Sequence, residues 1–215
     1  KLNVINLWFF PLPASPVGTL RNGAVSLRPF EKFDAHTIQS QGSDPSVAHW
    51  MISFPVPWPR WLARHRIMQA RQDMARSEGF HFAIIAEDLP GRPMVGACSA
   101  AFIGDPSRPP ELAYWIAPDY QRQGRAKQAL TILLAFLFQR DDHLRAIEAA
   151  VIEGNEPSTQ WLLSLGFRYH EDERASAPLS WNRPRDEQVL LHRHRLWRTD
   201  WLSGEWAHID IEPSL

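Results

Sequence analysis

One turn of the chain combines a glycine with several cations. Arg122, Gly124, Arg125 and Lys127 lie within six residues of each other, directly before a run of apolar residues. Because Gly124 has no side chain where a helix begins, the free backbone N–H groups of the first helical turn can point outward. Such a turn can bind a phosphate group, and a bound polyanion would offset the unfavourable position of cations at the positive end of the helix dipole. A solvated turn with basic surface residues is the alternative.

The elements on both sides of this turn should hold it in place. Residues 112–117 form a continuous apolar run that is too short for a helix and ends at Pro118, which predicts a buried central strand. After the turn, apolar residues surround most of a predicted helix from Ala126 to Phe138. A helix that is apolar nearly all round must be buried, and a buried helix fixes the position of its N-terminal turn.

The remaining elements alternate between strands and helices in a mixed order. Strands are predicted at 24–30, 81–86, 93–103, 144–152, 167–170 and 188–197, and helices at 31–41, 61–77 and from Pro157 onward. This order is neither a repeated parallel unit nor an all-β pattern, and it predicts an α/β sandwich. A chain of 215 residues with 44% hydrophobic content is best explained as one domain with a sizeable core.

Three motifs resemble a known family. Residues 121–126, Gln-Arg-Gln-Gly-Arg-Ala, match the Gln/Arg-x-x-Gly-x-Gly/Ala signature of the GCN5-related N-acetyltransferase (GNAT) superfamily. Asn155 and Ser158 followed by residues 165–167 resemble its second CoA-side motif, and residues 26–30 with Asp34 resemble its start. Together they resemble the ribosomal-protein N-terminal acetyltransferase (RimJ/RimL-like) branch over about residues 24–200. The resemblance implies a three-layer sandwich in which helices flank a mixed central β-sheet.

The resemblance also implies a co-substrate and its contacts. An acetyl group would pass directly from acetyl-CoA to an amine, with no covalent intermediate and no metal. The pantetheine arm would pair with the opened backbone of the central strand at Trp115, Ile116 and Ala117, and would also bond Asn155. The pyrophosphate would bind the turn formed by Gln121, Arg122, Gln123, Gly124, Arg125, Ala126 and Lys127.

The implied reaction requires a base and a proton donor. An ammonium acceptor must lose a proton, and Glu111 at the entrance of the central strand is the predicted base, acting directly or through water. Glu148 and Glu153 lie on the neighbouring strand, and a surface role for Glu111 is the alternative. Many superfamily members protonate the leaving thiolate with a tyrosine, yet Leu162 stands at that position. Ser158, or a water that it holds, is the predicted substitute, unless Ser158 only caps a helix.

Two irregular segments are expected on the acceptor side. Trp50, Trp58 and Trp61 lie in a proline-rich stretch that is too broken for one helix. In the family this stretch shapes the acceptor pocket, so the tryptophans either line that pocket or pack a helix against the sheet. Residues 175–184 are predicted to form a mobile loop, acting either as a lid or as an ordinary connection.

Charge and cysteine content limit the partners. A net charge of −1 gives no general attraction to nucleic acid or to a membrane. The single cysteine, Cys98, excludes an internal disulfide framework, suits a reducing cytoplasm and is expected to be a small buried residue. Residues 192–195 alternate histidine and arginine, which indicates a polar edge strand, and no further Cys or His lies at zinc spacing.

Domain boundaries are predicted at 24 and 200. Residues 1–23 would form an N-terminal arm, 24–200 the acetyltransferase domain and 201–215 a C-terminal tail. The apolar residues near the start are too few to span a bilayer, so the arm is expected to pack on its own domain or on a second subunit in a homodimer.

Two classes of function stay open at this point. The chain is either an acetyltransferase or a relative that binds acyl-CoA as a sensor or interaction module without turnover. Within the enzyme class, the acceptor is a protein N-terminal α-amine, an amino acid, a polyamine or an aminoglycoside. A wide groove would favour a protein acceptor, and a closed acidic pocket would favour the small amines.

Overall fold

The computed structural model describes residues 11–52, 54–102, 107–176, 187–207, 209 and 211–214. They form a nine-stranded mixed sheet with helices packed on both faces. The α/β sandwich expected from the sequence is therefore confirmed. Most of the predicted loop at 175–184 and much of the predicted arm lie outside the described residues.

The elements follow the predicted order closely. The first half contains β1 (Thr19–Asn22), β2 (Val25–Pro29), α1 (Asp34–Gly42), α2 (Pro45–Ala48), α3 (Arg60–Arg76), β3 (Gly79–Ala86) and β4 (Met94–Ala101). The second half contains β5 (Glu111–Ile116), a 3₁₀ turn (Pro118–Tyr120), α4 (Arg125–Arg140), β6 (Ala146–Ile152), α5 (Glu156–Ser164), β7 (Arg168–Ser176), β8 (Gln188–Trp197), α6 (Arg198–Ser203) and β9 (Glu212–Ser214). Every predicted strand and helix is present, and the short elements β1, α2, α6 and β9 are additional.

One pair of neighbouring strands in the described sheet is parallel, and these two strands diverge from each other along their length. The strand order is β7-β8-β6-β5-β4-β3-β2-β1-β9, in which only β5 and β6 run parallel. These two strands pair only at Glu111 with Glu148 and at Leu112 with Ala149. The other side of β5, in contrast, stays paired with β4 along its whole length. The strands β5 and β6 therefore open like a fork in the middle of the sheet.

Two cores hold this fork from opposite faces. Leu112 and Ile116 of β5 pack in the larger core, which contains most of α4, whereas Trp115 packs with α1 and α3. Leu130 and Leu133 of α4 are fully buried, as predicted for a helix that is apolar nearly all round. Because α4 is anchored in the core, the turn before it has a fixed position.

The interpretation of residues 192–195 as an edge strand is wrong. They belong to β8, which lies between β7 and β6, and both Arg193 and His194 are buried. The charge is tolerated inside the sheet because Arg193 and Arg195 pair with carboxylates on neighbouring strands. The edge of the sheet at this side is β7 instead.

Residues outside 24–200 contribute both to the sheet and to the core. Strands β1 and β9 pair with each other, and Trp201 of α6 is buried against Phe138, with 5.9 Å between the ring centroids. The boundaries at 24 and 200 stay a prediction. Among the described helices, none is long and apolar enough to cross a membrane.

Candidate functional site

A cavity of about 640 Å³ occupies the fork between β5 and β6. Its walls come from both strands, from the segment 46–52, from the turn before α4 and from the start of α5. The gap leaves the β6-facing side of β5 without a partner strand beyond Leu112. An extended ligand with amide groups can pair with such a strand edge, as a further strand would.

The turn before α4 has the geometry of an anion site. Arg122 and Gly124 both adopt left-handed backbone conformations, with φ of 59° and 74°. Gly124 is the N-cap of α4, and the Gln128 N–H donates to its carbonyl at 3.1 Å as the first bond of the helix. The preceding N–H groups of the first turn have no partner within the helix and lie at its positive end, which favours a phosphate.

Arg125 braces this turn through its guanidinium. Its side chain is 7% exposed and makes two hydrogen bonds to Asp88, at 2.7 and 3.1 Å. Its Nε also donates to Gln123 Oε1 at 3.0 Å. The hydrogen bond from Arg125 lowers the pKa of the Asp88 carboxyl below its usual value, so this ion pair persists in mildly acidic solution. Only Arg122 of the two arginines is exposed at the cavity.

The structure brings most of the predicted CoA residues to the cavity. Those that line it are Trp115, Ile116, Gln121, Arg122, Gly124, Arg125, Ala126 and Asn155, whereas Ala117, Gln123 and Lys127 do not. The Lys127 ammonium instead lies over the ring of Trp206, at 4.4 Å from its centroid, and 5.7 Å from that of Trp161. Gln121 donates from Nε2 to the carbonyl of Ile116 at 2.9 Å and so caps the end of β5. The assignment of these residues to CoA stays a prediction.

Ser158 lies in the cavity beside a tyrosine that sequence reasoning missed. The Tyr114 Oη and Ser158 Oγ atoms are 2.8 Å apart, and both residues line the cavity. The helix cap is Asn155, whose Oδ1 accepts the Ser158 N–H at 3.4 Å, so the Ser158 hydroxyl does not serve as the cap. Tyr114 shares the face of β5 with Leu112 and Ile116, and this alternation was the available signal.

The protonation state of Tyr114 and the apolar side chain of Leu162 define the chemistry near this pair. Burial raises the pKa of the Tyr114 hydroxyl, so Tyr114 keeps its proton. Leu162, at the position where many relatives have a tyrosine, is fully buried and lines the cavity. It offers no proton, and hydroxyl groups reach this region from Tyr114 and Ser158 instead.

Glu111 lines the cavity at the closed end of the fork but is held in an ion pair. Its Oε2 accepts a hydrogen bond from Arg193 Nη1 at 2.9 Å. Arg193 also pairs with Glu173 of β7 and lies 3.6 Å from Glu148. The predicted base is thus part of a charged cluster that we call the fork cluster: Arg108, Glu111, Glu148, Glu173, Arg193 and Arg195.

Glu148 is the buried centre of the fork cluster. It is 2% exposed and accepts hydrogen bonds from Arg195 Nε at 3.0 Å and from Arg108 Nη2 at 3.3 Å. Burial alone would raise the pKa of Glu148, but the hydrogen bond from Arg195 and the charges of three arginines more than offset this, and the pKa is lowered. Glu148 is therefore ionised and paired, and Glu153 is exposed and does not line the cavity.

The three tryptophans of the irregular segment have different roles. Trp50 lines the cavity together with Met51 and Ile52. Trp58 is 3% exposed and packs in the core between the helices and the sheet, edge-on to Phe54. Trp61 is 46% exposed. The packing role offered by the sequence therefore applies to Trp58, whereas a role of Trp50 in an acceptor pocket stays a prediction. Within the described residues, no group of three His, Cys, Asp or Glu could hold a metal ion.

The site thus consists of a parallel strand pair that parts around a cavity, with a turn that has the geometry of an anion site at one end. Residues 25–168, well over half of the chain, match the family described as the acetyltransferase (GNAT) domain. The chain belongs to the GNAT family and is an acyl-CoA-dependent N-acyltransferase. None of the curated proteins compared matches the chain.

Solved structures share this fold over most of their length. RimJ from Mycobacterium smegmatis, in complex with CoA-disulfide, has a TM-score of 0.68 and 23% identity, with 89% of this chain and 91% of that chain covered. The ribosomal-protein-S5-alanine acetyltransferase from Vibrio fischeri has a TM-score of 0.66 and 20% identity, covering 85% and 98%. RimL, a ribosomal L7/L12 α-N-protein acetyltransferase, has a TM-score of 0.68 and 14% identity, covering 87% and 98%.

Proposed function

We propose that this protein transfers an acetyl group from acetyl-CoA to the α-amine at the N terminus of a protein. The observation that carries the proposal is the cavity in the fork. The turn before α4, the hydroxyl groups of Tyr114 and Ser158 and the carboxylate of Glu111 all line it. Acetyl-CoA has a matching order of groups, with pyrophosphate, pantetheine amides and thioester in sequence. The solved neighbours that act on ribosomal proteins support a protein acceptor.

The donor would bind along β5. Its pyrophosphate would meet the N–H groups at the start of α4, with Arg122 as the exposed cation at the cavity. The pantetheine amides would pair with the free edge of β5 and with Asn155. The thioester would then lie near Tyr114 and Ser158, which both line the same cavity.

The reaction requires a neutral amine close to the thioester carbonyl. Binding both reactants in one cavity supplies the proximity, which can contribute a large part of the rate enhancement. The acceptor nitrogen forms the C–N bond, the C–S bond breaks, and the acceptor loses one proton. Glu111, directly or through water, would take that proton while Ser158 would donate a hydrogen bond to the leaving thiolate.

The charges at the closed end of the fork argue against a polycationic acceptor. Glu111, Glu148 and Glu173 are each paired with an arginine of β8. Carboxylates that arginines already neutralise attract a polyamine or an aminoglycoside weakly. The apolar wall at Trp50 and Met51 instead suits the first side chains of a peptide.

The test is release of free CoA with a matched panel of acceptors. We expect turnover with peptides that carry a free α-amine, and none with the same peptides acetylated at the N terminus but bearing an internal lysine. Polyamines, amino acids and an aminoglycoside complete the panel, and mass spectrometry identifies the modified atom. Preference for a polyamine over every peptide would overturn the choice of acceptor.

Glu111→Gln tests the role of the base in the same assay. We expect binding of acetyl-CoA to be retained and kcat to fall by about 10²-fold, the usual size of a general-base contribution. A variant with the kcat of the wild type would exclude Glu111 as the base.

The sequence left open a relative that binds acyl-CoA without turnover, and the assignment of the chain to the acetyltransferase family decides against it. A cytoplasmic location and a homodimer are also proposals, from the cysteine content and the apolar N-terminal residues respectively.

A further inference from the structure

We propose that Tyr114 is a positioning residue, which holds the Ser158 hydroxyl so that its proton points toward the sulfur of the bound donor. The proposal rests on the function proposed above and assigns a role to a residue that the family motifs do not contain. It starts from the 2.8 Å contact between Tyr114 Oη and Ser158 Oγ inside the cavity.

Both partners are held rigidly by the fold. Tyr114 pairs with Cys98 across the fully paired β4–β5 ladder, so its backbone cannot shift without moving the sheet. Ser158 lies in the first turn of α5, where the Asn155 side chain accepts its N–H. A hydrogen bond between two anchored groups is preorganised and requires little rearrangement during the reaction.

The direction of this hydrogen bond follows from the chemistry of the two hydroxyl groups. A phenol is more acidic than an aliphatic alcohol and is the better donor, with an ordinary pKa of about 10. Burial keeps Tyr114 protonated, so its proton is present to be donated. When Tyr114 donates, Ser158 Oγ accepts, and the Ser158 proton is free for another acceptor. Among the described residues, no other side chain bonds this hydroxyl.

That acceptor is the sulfur that leaves in the proposed reaction. As the amine forms the C–N bond, the electron pair of the C–S bond moves to sulfur, and negative charge develops there. The Ser158 O–H stabilises this charge by donating a hydrogen bond, and Tyr114 keeps its own proton throughout. One acceptor proton is removed by the base and one proton is finally taken up by the thiolate, so the protons balance.

The position of Leu162 explains why two residues share this task. Relatives with a tyrosine on the corresponding helix bring one hydroxyl to the thioester directly. Here the side chain at that site is apolar and fully buried. Tyr114 approaches from β5 instead and contacts Ser158. The Ser158 hydroxyl is then the group that reaches the sulfur of the bound donor.

Kinetics of three variants test the coupling. Ser158→Ala should lower kcat by about 10²-fold, the usual loss when one donor to a developing charge is removed. Tyr114→Phe should lower kcat by about 10-fold with little change in KM for acetyl-CoA, since Ser158 keeps its hydroxyl but loses its orientation. The double variant should match Ser158→Ala, because orienting an absent hydroxyl has no effect. Tyr169→Phe, on the exposed part of β7, is the matched control and should equal the wild type.

A second measurement does not depend on turnover. Ultraviolet absorbance reports the thiolate of bound CoA, and a hydrogen bond to that thiolate lowers the pKa of the thiol. We expect the thiol pKa to rise in Ser158→Ala, to rise less in Tyr114→Phe, and to show no further change in the double variant. Circular dichroism and melting curves establish that each variant is folded.

The outcomes separate this inference from the proposed function. If Tyr114→Phe keeps both the kcat and the bound-thiol pKa of the wild type, the positioning role is overturned while the acetyltransferase stands. Independent, additive effects of the two substitutions overturn it as well. If no amine gives turnover but the thiol pKa shifts as expected, the positioning role stands and the acceptor chemistry fails. Absence of CoA binding would overturn both.

Discussion

Replacing Glu148 by glutamine should destabilise the protein through the fork cluster. The carboxylate is buried, it accepts hydrogen bonds from Arg195 and Arg108, and it lies 3.6 Å from Arg193. Glutamine has nearly the same shape but no charge, so these arginines would lose their buried counterion. The shape-conserving change isolates electrostatics from cavity formation.

The size of the expected loss of stability follows from how exposed the arginines around Glu148 are. Removing one member of a fully buried ion pair costs about 3–5 kcal/mol. The Arg195 and Arg108 side chains are 20% and 45% exposed, so water partly solvates them, and Arg193 keeps Glu111 and Glu173. We therefore expect a loss of about 2–3 kcal/mol. With a urea m-value of about 2 kcal/mol per M, the unfolding midpoint should fall by about 1–1.5 M.

The pH dependence gives the sharper test. The pKa of Glu148 is lowered in the folded protein, so the unfolded chain binds the proton more readily. The stability that its charge contributes is then fully present above about pH 5, and is lost as the pH falls through the unfolded value of about 4.3 toward the folded one. The difference in the free energy of unfolding between the wild type and Glu148→Gln should therefore be large at pH 7 and smaller at pH 4.

Urea unfolding at both pH values, followed by circular dichroism, is the assay. Glu171→Gln is the control, because this carboxylate is 52% exposed and lies 3.9 Å from Arg108. Its effect should stay within about 0.5 kcal/mol. The reasoning is refuted if Glu148→Gln is no more destabilising than the control at pH 7, or if its effect does not shrink at pH 4.

The remaining predictions concern the donor side. Gly96→Ala should lower the melting temperature, because the new Cβ would lie 2.3 Å from the Trp115 carbonyl oxygen and force β4 away from β5. Gly124→Ala, whose Cβ meets no atom within 4 Å, should cost only the strain of its left-handed backbone, about 1 kcal/mol; equal melting curves for the two would contradict this. Arg125→Met should weaken CoA binding in calorimetry, since the turn loses its brace to Asp88. Unchanged affinity would show that α4 alone fixes the turn.

The elements that form the proposed donor site could be predicted from the sequence because they follow each other in one continuous segment. The strand β5, the turn and α4 follow each other directly, and each has a local pattern: a short apolar run, a glycine before a helix, and a helix that is apolar all round. The contacts that matter here involve backbone groups, which such patterns determine. Arg125 is the exception, since its pairing with Asp88 crosses from another hairpin.

The fork cluster and the Tyr114–Ser158 contact depend on pairs of residues that no local pattern reveals. The alternating charges of β8 resembled a solvent-exposed face, because their partners Glu148 and Glu173 lie far away in the sequence. Tyr114 was hidden in an apolar run, where an aromatic residue usually means only core packing. Its contact with Ser158 joins a strand to a helix more than forty residues later. Side-chain chemistry that crosses between elements requires the sheet order, which hydrophobic periodicity does not provide.

The fork cluster lies where β5 and β6 still pair. Glu111 and Glu148 are direct partners in the parallel ladder, and like charges in that arrangement repel. Arg193 Nη1 lies within 3.6 Å of both carboxylates and so holds the two strands together at this end. Beyond Leu112 the described residues of β5 have no ladder partner on β6, and the cavity opens. Glu111 therefore belongs both to the link and to the proposed chemistry, so a fall in kcat for Glu111→Gln indicates a base only if the unfolding midpoint and CoA affinity are retained.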